Sequence, residues 1–367
     1  MKIAILGTDG YIGTALNQYL TEQGHEVFGC DNALRKRNVA FIGSQSIVEK
    51  VEVNHLDLDI TEYEKLKSWL KAIQPDTIVH LAEQPSAPFS MLNAKEAAAT
   101  QQNNIIGTLN VLWAMKEVCP EAHLVKLGTE GEYPDWIWDG KHIPEGSRMK
   151  VMYSDDFDEN GVPNSFEPWT IPTPRYFGSW YHATKMFDSY NIDYACRVWG
   201  LTATDVNQGV VYGHEYNTRL DIDEHFGTVV NRFCAQAVSG MPLTVYGTGG
   251  QTRGFIALKN SLEAIKLLSE NPPEQGEFRV IHQTTKEYSV RDIAHKVQQL
   301  TGCKIDYIDN PRAEQDSNKF TFENKTLMDL GLMPIGMDDV LPGLIKTIEA
   351  NKDRIIKDVI YPKTKWK

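Results

Sequence analysis

Residues 2–13 read KIAILGTDGYIG, an apolar run followed by glycines at 7, 10 and 13 and then by the amphipathic stretch YIGTALNQYLTEQG. This order constrains the fold more than anything else in the chain. Glycines at this interval permit a tight turn, let backbone N–H groups approach a pyrophosphate, and let the next helix pack closely on the strand. The strand and helix on either side give the glycines the context that a bare triplet lacks. Asp31 stands at the end of the next apolar run, HEVFGC. A carboxylate there can hold the ribose hydroxyls of NAD and repel the additional phosphate of NADP. Arg35 and Arg37 follow and can grip the phosphates of either cofactor.

Short apolar runs recur in VEVNHLDL, DTIVHLA and AHLVKLGT, separated by helical periodicity such as NNIIGTLNVLWAMKEV. Runs of this length alternating with helices predict βαβ units and a parallel sheet covered on both faces. We therefore expect an α/β fold, a Rossmann-type doubly wound parallel sheet, over residues 1–208. Beyond residue 208 the strands PLTVYG, EFRVIHQ and CKIDYID mix with helices. This predicts a smaller α+β substrate-binding lobe over residues 209–367, some segments of which return to the larger sheet. Residues 134–178 carry six prolines and no clear period, so they read as an irregular insert. The aromatic clusters DWIWD and RYFGSW within it argue against disorder.

The net charge of −12, with no basic run, argues against nucleic acid or a membrane surface as partner. Cys30, Cys119, Cys196, Cys234 and Cys303 are scattered without a CxxC pair, so neither a disulfide framework nor a metal site is expected. The chain opens directly on a strand, and no apolar run approaches the roughly 20 residues that span a bilayer. Cytoplasm is the expected compartment.

The stretch YHATK sets Tyr181 four residues before Lys185, on one face of a helix. The glycine spacing GxxGxxG together with this YxxxK resembles the extended short-chain dehydrogenase/reductase family. HLDLDI, VHLAEQ, NNIIGTLNVL and LGTEGEY resemble further motifs of that family in the same order. The resemblance implies NAD as cofactor. In the first βα turn it would be held by Gly7, Asp9, Gly10, Tyr11, Ile12 and Gly13, with Asp31, Asn32 and Arg35 after the second strand. Asp59 and Ile60 would seat the adenine, and Leu81 and Ala82 would lie beside the cofactor. Val211 would face the nicotinamide, and Asn104 would brace the site. Thr129, Tyr181 and Lys185 would form the catalytic set. The ammonium of Lys185 would lower the phenol from about 10 toward neutrality, so that Tyr181 can take a hydroxyl proton that Thr129 helps to hold.

Longer blocks, among them HLAEQPSAPFSM, TDVNQGVVYG, RLDIDEHFGTVVNRF and PLTVYGTGGQTRGF, resemble a branch of the family that builds a sulfonated sugar nucleotide from UDP-glucose and sulfite. Such chemistry needs a second acid/base, for which His182, Glu130 and Glu132 are candidates. The nucleotide would be held by Val229, Val230, Asn231 and Arg232, by the strand Thr244, Val245 and Tyr246, and by Arg253 and Arg312; Gln208 would face the sugar. One departure concerns Pro85, which stands where the branch carries an arginine; Arg175 and Arg219 are possible replacements. A UDP-sugar 4-epimerase, a 5,6-dehydratase and a non-catalytic NAD-binding sensor remain as alternative readings. The apolar faces of NNIIGTLNVLWAMKE and WYHATKMFDSY lie where related proteins form a four-helix contact, so a homodimer is expected.

Overall fold

The computed structural model describes residues 1–35, 53, 55–133, 135–311 and 319–363. Its main feature is a seven-stranded sheet in the order β13-β9-β5-β4-β1-β2-β3, with every pairing parallel. The strands are β1 (Lys2–Leu6), β2 (Glu26–Asp31), β3 (Leu56–Asp57), β4 (Thr77–His80), β5 (His123–Leu127), β9 (Thr202–Gln208) and β13 (Phe278–Gln283). β4 and β5 are buried at every position, as a sheet with helices on both faces requires. One face is covered by Tyr63–Ile73, Gly107–Val118 and Trp180–Trp199, the other by Tyr11–Glu22 and Leu258–Glu270. The order reverses at β1, whose neighbours are β2 on one side and β4 on the other, and ligands bind such sheets at that crevice.

EFRVIHQ does not stay in the smaller lobe. As β13 it joins the large sheet in register with β9, from Phe278↔Ala203 to Gln283↔Gln208. The smaller lobe contains β10 (Val210–Tyr212), β12 (Thr252–Ala257) and β14 (Lys286–Ser289) in one sheet, and β11 (Leu243–Tyr246) paired with β15 (Ile305–Ile308) in another. They pack with the helices Val229–Val238, Val290–Thr301 and Met337–Ala350 around Phe233, Leu243, Phe255 and Leu341.

Residues 135–178 are more regular than their prolines suggest. β6 (His142–Ile143) pairs with β16 (Thr321–Phe322), and Tyr133, Trp138, Ile143, Phe320 and Phe322 form a small core beneath them. β7 (Arg148–Tyr153) and β8 (Glu167–Pro172) form an antiparallel hairpin, with Tyr153 stacked on Trp169 at 4.3 Å between centroids. A turn carries the chain at Asp158, whose Oδ1 accepts from the backbone N–H of Asn160 and Val162. The pairing comes from cross-strand contacts that a single strand's pattern does not display. All five cysteines are free and four are buried. Among the described residues no helix is long and apolar enough to cross a membrane, and no His/Cys/Asp/Glu cluster could hold a metal ion.

Candidate active site

A cavity of about 940 Å³ lies at the carboxyl ends of β1, β4 and β5, between the large sheet and the smaller lobe. Its floor is the glycine turn. Gly7 has φ +93°, and a Cβ added to it would lie 2.7 Å from the Leu81 carbonyl carbon. A Cβ on Gly13 would lie 2.1 Å from the Gly7 oxygen. Gly10 caps the helix Tyr11–Glu22 without a side-chain hydrogen bond, so the helix start faces the cavity as bare backbone. Asp31 Oδ2 accepts from the Asp9 N–H at 2.8 Å and its Oδ1 from the Ala33 N–H at 2.7 Å, which orients the carboxylate at the cavity edge. Ile12 lines the wall, and Tyr11 does so while donating to the Gly213 oxygen at 2.6 Å.

Not every residue expected at the cofactor touches the cavity. Asp59 accepts from Asn32 Nδ2 at 2.8 Å and from Thr61, so Ile60 and Leu58 line the wall in its place and Asp59 orients Asn32. Asn104 is fully buried behind the wall. It donates to the Gln84 oxygen and to Thr184 Oγ1 and accepts from the Gln84 N–H at 2.8 Å. It sits in a π-helical turn, Gln102–Ile106, whose wider winding turns the side chain across to the Trp180 helix. Arg35 lines the cavity but packs over the Phe226 ring at 3.3 Å and pairs with Asp221 at 3.2 Å, linking the two lobes. Leu81, Ala82 and Val211 all line the cavity.

Thr129, Tyr181 and Lys185 converge at one wall. Ser179 starts the Trp180 helix by accepting from the His182 N–H at 3.2 Å, and Gly200 ends it at φ +68°. Tyr181 therefore stands in the first turn, where it lines the cavity together with Thr129. Lys185 Nζ lies 5.7 Å from the ring centroid and is held by Glu83 and by the Leu127 oxygen. Burial pushes the phenol up to about 12, against Lys126 and then Thr129, and burial lowers the Lys185 ammonium to about 8. The protein alone therefore does not bring the phenol toward neutrality, because desolvation of the anion outweighs the nearby cations.

The adjoining acids separate by direction. Glu130 lines the cavity, is 5% exposed, and accepts from the Gly254 N–H at 3.1 Å through Oε2. Burial and then Glu287 hold its carboxyl well above the usual range. Glu132 points the other way, where it is fully buried and takes Arg175 Nη1 at 2.8 Å. The structure thus removes Glu132 from the reacting face, and with it Arg175 as a replacement for the arginine missing at Pro85. Arg219 reaches the cavity wall, but its guanidinium is forked on Asp221 at 2.9 and 3.1 Å. His182 lines the cavity beside Tyr181, its Nδ1 3.1 Å from Ser179 Oγ.

On the smaller-lobe side Gln208, Val229, Arg232, Thr244, Tyr246 and Arg253 line the cavity. Val230 and Val245 are instead buried in the lobe's core, and Asn231 accepts from the Gly213 N–H at 3.1 Å, holding the turn after β10. Arg232 is 7% exposed, and its Nε is buried without a hydrogen-bond partner. Arg312 lies outside the described residues. Two residues that sequence reasoning passed over are Glu83, the ion partner of Lys185, and Lys126, a fully buried lysine in β5. Their signals were plain but unread: a carboxylate at the end of an apolar strand, and a lysine inside HLVKL.

The model of the NAD dependent epimerase/dehydratase family matches residues 3–282. The chain belongs to that family. NAD is its cofactor, and the residues fit it: the glycine turn has no room for side chains, and Asp31 is set at the edge of the same cavity. The chain is 39% identical to UDP-sulfoquinovose synthase of Sulfolobus acidocaldarius, covering all of this chain and 98% of that protein. It is 38% identical to the chloroplastic UDP-sulfoquinovose synthase of Spinacia oleracea, covering all of this chain and 79% of that protein. The fold is similar to a UDP-glucuronic acid 4-epimerase of Bacillus cereus solved with UDP-glucuronic acid and NAD. That match has TM-score 0.68 and 20% identity over 95% of this chain and 99% of the other.

Proposed function

We propose that this protein converts UDP-glucose and sulfite into UDP-sulfoquinovose through a 4-keto intermediate. The observation that carries this reading is the resemblance to two UDP-sulfoquinovose synthases along the whole of this chain. In this reading residues 1–208 hold NAD and the lobe from residue 209 holds most of the nucleotide.

Bound NAD supplies the acceptor for a hydride from C4 and later returns it. With the positive charge that oxidised NAD would add to Lys185 and Lys126, Tyr181 would act as phenolate and take the proton of the C4 hydroxyl while Thr129 holds that hydroxyl in place. The resulting ketone acidifies the C5–H. A base removes that proton as the C6 hydroxyl leaves as water, and sulfite adds to C6 of the enone through its sulfur lone pair while C5 takes a proton back. Glu130 is suited to protonate the leaving hydroxyl, because its carboxyl faces the cavity and burial raises it well above the usual carboxylate range. His182 is suited to take the C5 proton, because imidazole exchanges protons near neutral pH. Arg232 and Arg253 are suited to the diphosphate by charge-assisted hydrogen bonds, and Thr244 and Tyr246 to the uracil side. No arginine stands at Pro85, and Arg175 and Arg219 are both paired with carboxylates.

We also place the enzyme in the cytoplasm as a homodimer. The free, mostly buried cysteines suit a reducing compartment. Ile106, Trp113, Phe187, Tyr190 and Tyr194 form an exposed apolar face on neighbouring helices, which suits a second copy. Incubation with UDP-glucose, with and without sulfite, tests the function. A sulfite-dependent UDP-sugar anion supports the synthase, UDP-galactose formed without sulfite points to an epimerase, and absence of turnover with NAD still bound points to a sensor.

A further inference from the structure

We propose that Lys126 is a positioning residue for proton transfer at Tyr181, its buried ammonium stabilising the phenolate from behind while Lys185 is held by Glu83. This rests on the reading of Tyr181 as the proton acceptor.

Lys126 lies in the middle of β5, and its side chain is fully buried. Burying an ammonium costs several kcal/mol, and well-packed apolar residues commonly serve a strand interior as well or better. A lysine at this place therefore points to a use for the charge. Its Nζ donates to the Lys185 backbone oxygen at 3.3 Å and lies 3.5 Å from Asp205 Oδ1. That seats the ammonium under the first turns of the Trp180 helix, on the protein side of the catalytic wall.

Other buried titratable groups surround the ammonium. Asp205, on β9, is shared with Arg175 at 3.8 Å and with the Ser189 hydroxyl, so it does not neutralise Lys126 alone. Glu132, in the turn after β5, is taken by Arg175 at 2.8 Å. Asp188, on the Trp180 helix, is raised to about 7 by burial, against Lys126 and Lys185. His80, on β4, is lowered to about 3 by burial, then by Lys185 and Lys126, and is neutral. Lys185 is bound by Glu83 and by the Leu127 oxygen. Burial works against the charge on Lys126, but Asp205, Asp188 and Glu132 outweigh it, so the ammonium stays protonated throughout the working range. Of the influences on the Tyr181 phenol, Lys126 is second only to burial and opposes it.

The test replaces Tyr181 with a fluorinated tyrosine whose greater acidity brings its titration into the pH range of the folded protein. Ring-fluorine NMR then reads the midpoint without turnover. Lys126→Met should raise that midpoint by about one unit or more, and Lys126→Arg should restore it. With the native tyrosine, Lys126→Met should cut kcat at neutral pH by about tenfold and recover as pH rises, the factor that one unit of phenol acidity implies. A purely structural lysine would slow the enzyme equally at every pH and leave the midpoint in place, and that result overturns the proposal. Should Lys126→Met fail to fold, Asp205→Asn carries the opposite sign. It removes a counter-charge and should lower the midpoint, and an unmoved or raised midpoint rejects the role. Since the titration needs no catalysis, failure of the reading of Tyr181 as base would appear separately, as turnover retained in Tyr181→Phe.

Discussion

Gly13→Ala isolates the contact on which the cofactor site is built. The new methyl would fall 2.1 Å from the Gly7 oxygen and 2.9 Å from both the Gly7 carbonyl carbon and Thr8 Cα. All three are backbone atoms and cannot rotate aside. Gly7 itself is fixed, because its N–H donates to the Cys30 oxygen at 2.8 Å and its φ of +93° belongs to the turn. The start of the helix Tyr11–Glu22 must therefore retreat by about 1.3 Å to reach an ordinary contact, which is overpacking and costs roughly 1–3 kcal/mol. Alanine's better helix propensity returns up to about 1 kcal/mol, so the net loss is at most about 3 kcal/mol and centres on about 1.5 kcal/mol. A thermal melt should show this as a fall of about 2 °C, at roughly 1.3 °C per kcal/mol for 367 residues at about 2.1 cal/mol/K each. NAD affinity should fall further, by at least about tenfold, because the retreating turn is the surface that meets the pyrophosphate. Isothermal titration of NAD into both proteins measures that. Gly343→Ala is the control. Gly343 lies inside the helix Met337–Ala350, its added methyl meets nothing within 4 Å, and the change should be neutral or stabilising by about 0.5–1 kcal/mol. If Gly13→Ala melts and binds NAD like the native chain, close backbone approach is not what demands glycine there.

Tyr181→Phe should lower turnover by about 10²- to 10⁴-fold while NAD still binds, and an unchanged rate removes the phenol from the mechanism. Glu130→Gln tests the buried acid in two ways. Because the folded carboxyl is raised above its ordinary 4.5, its contribution to stability is full below that value and is lost as pH rises through the folded value. The variant should therefore match the native protein in acid and gain relative stability toward neutral pH, in melts across that range. It should also lose dehydration, measured as solvent exchange at C5 and C6. Arg232→Met should raise KM for the UDP-sugar by about ten- to a hundredfold with a smaller change in kcat, since it removes a charge-assisted contact made equally in ground and transition states.

Much of this protein was legible in the sequence because its signals are local. KIAIL followed by GTDGYIG specifies a strand, a turn that excludes side chains, and a helix start, all within a dozen residues. YHATK places Tyr181 and Lys185 on one face through helical spacing alone. The two-stranded arm of residues 148–172 was not legible, because pairing joins residues as distant as Arg148 and Pro172. The direction of Glu130 and Glu132 was likewise decided in three dimensions. They flank Gly131 in one short turn, yet one meets Gly254 from the smaller lobe and the other meets Arg175 from the insert. Sequence could name which groups are able to titrate, but burial, together with Lys126 from β5, Asp205 from β9 and Glu83 from the loop after β4, decides which of them carry charge. Covalent order determined the strand, turn and helix of the cofactor edge. Desolvation and long-range ion pairing exist only once the chain has closed, and they determined the chemistry available at the reacting edge.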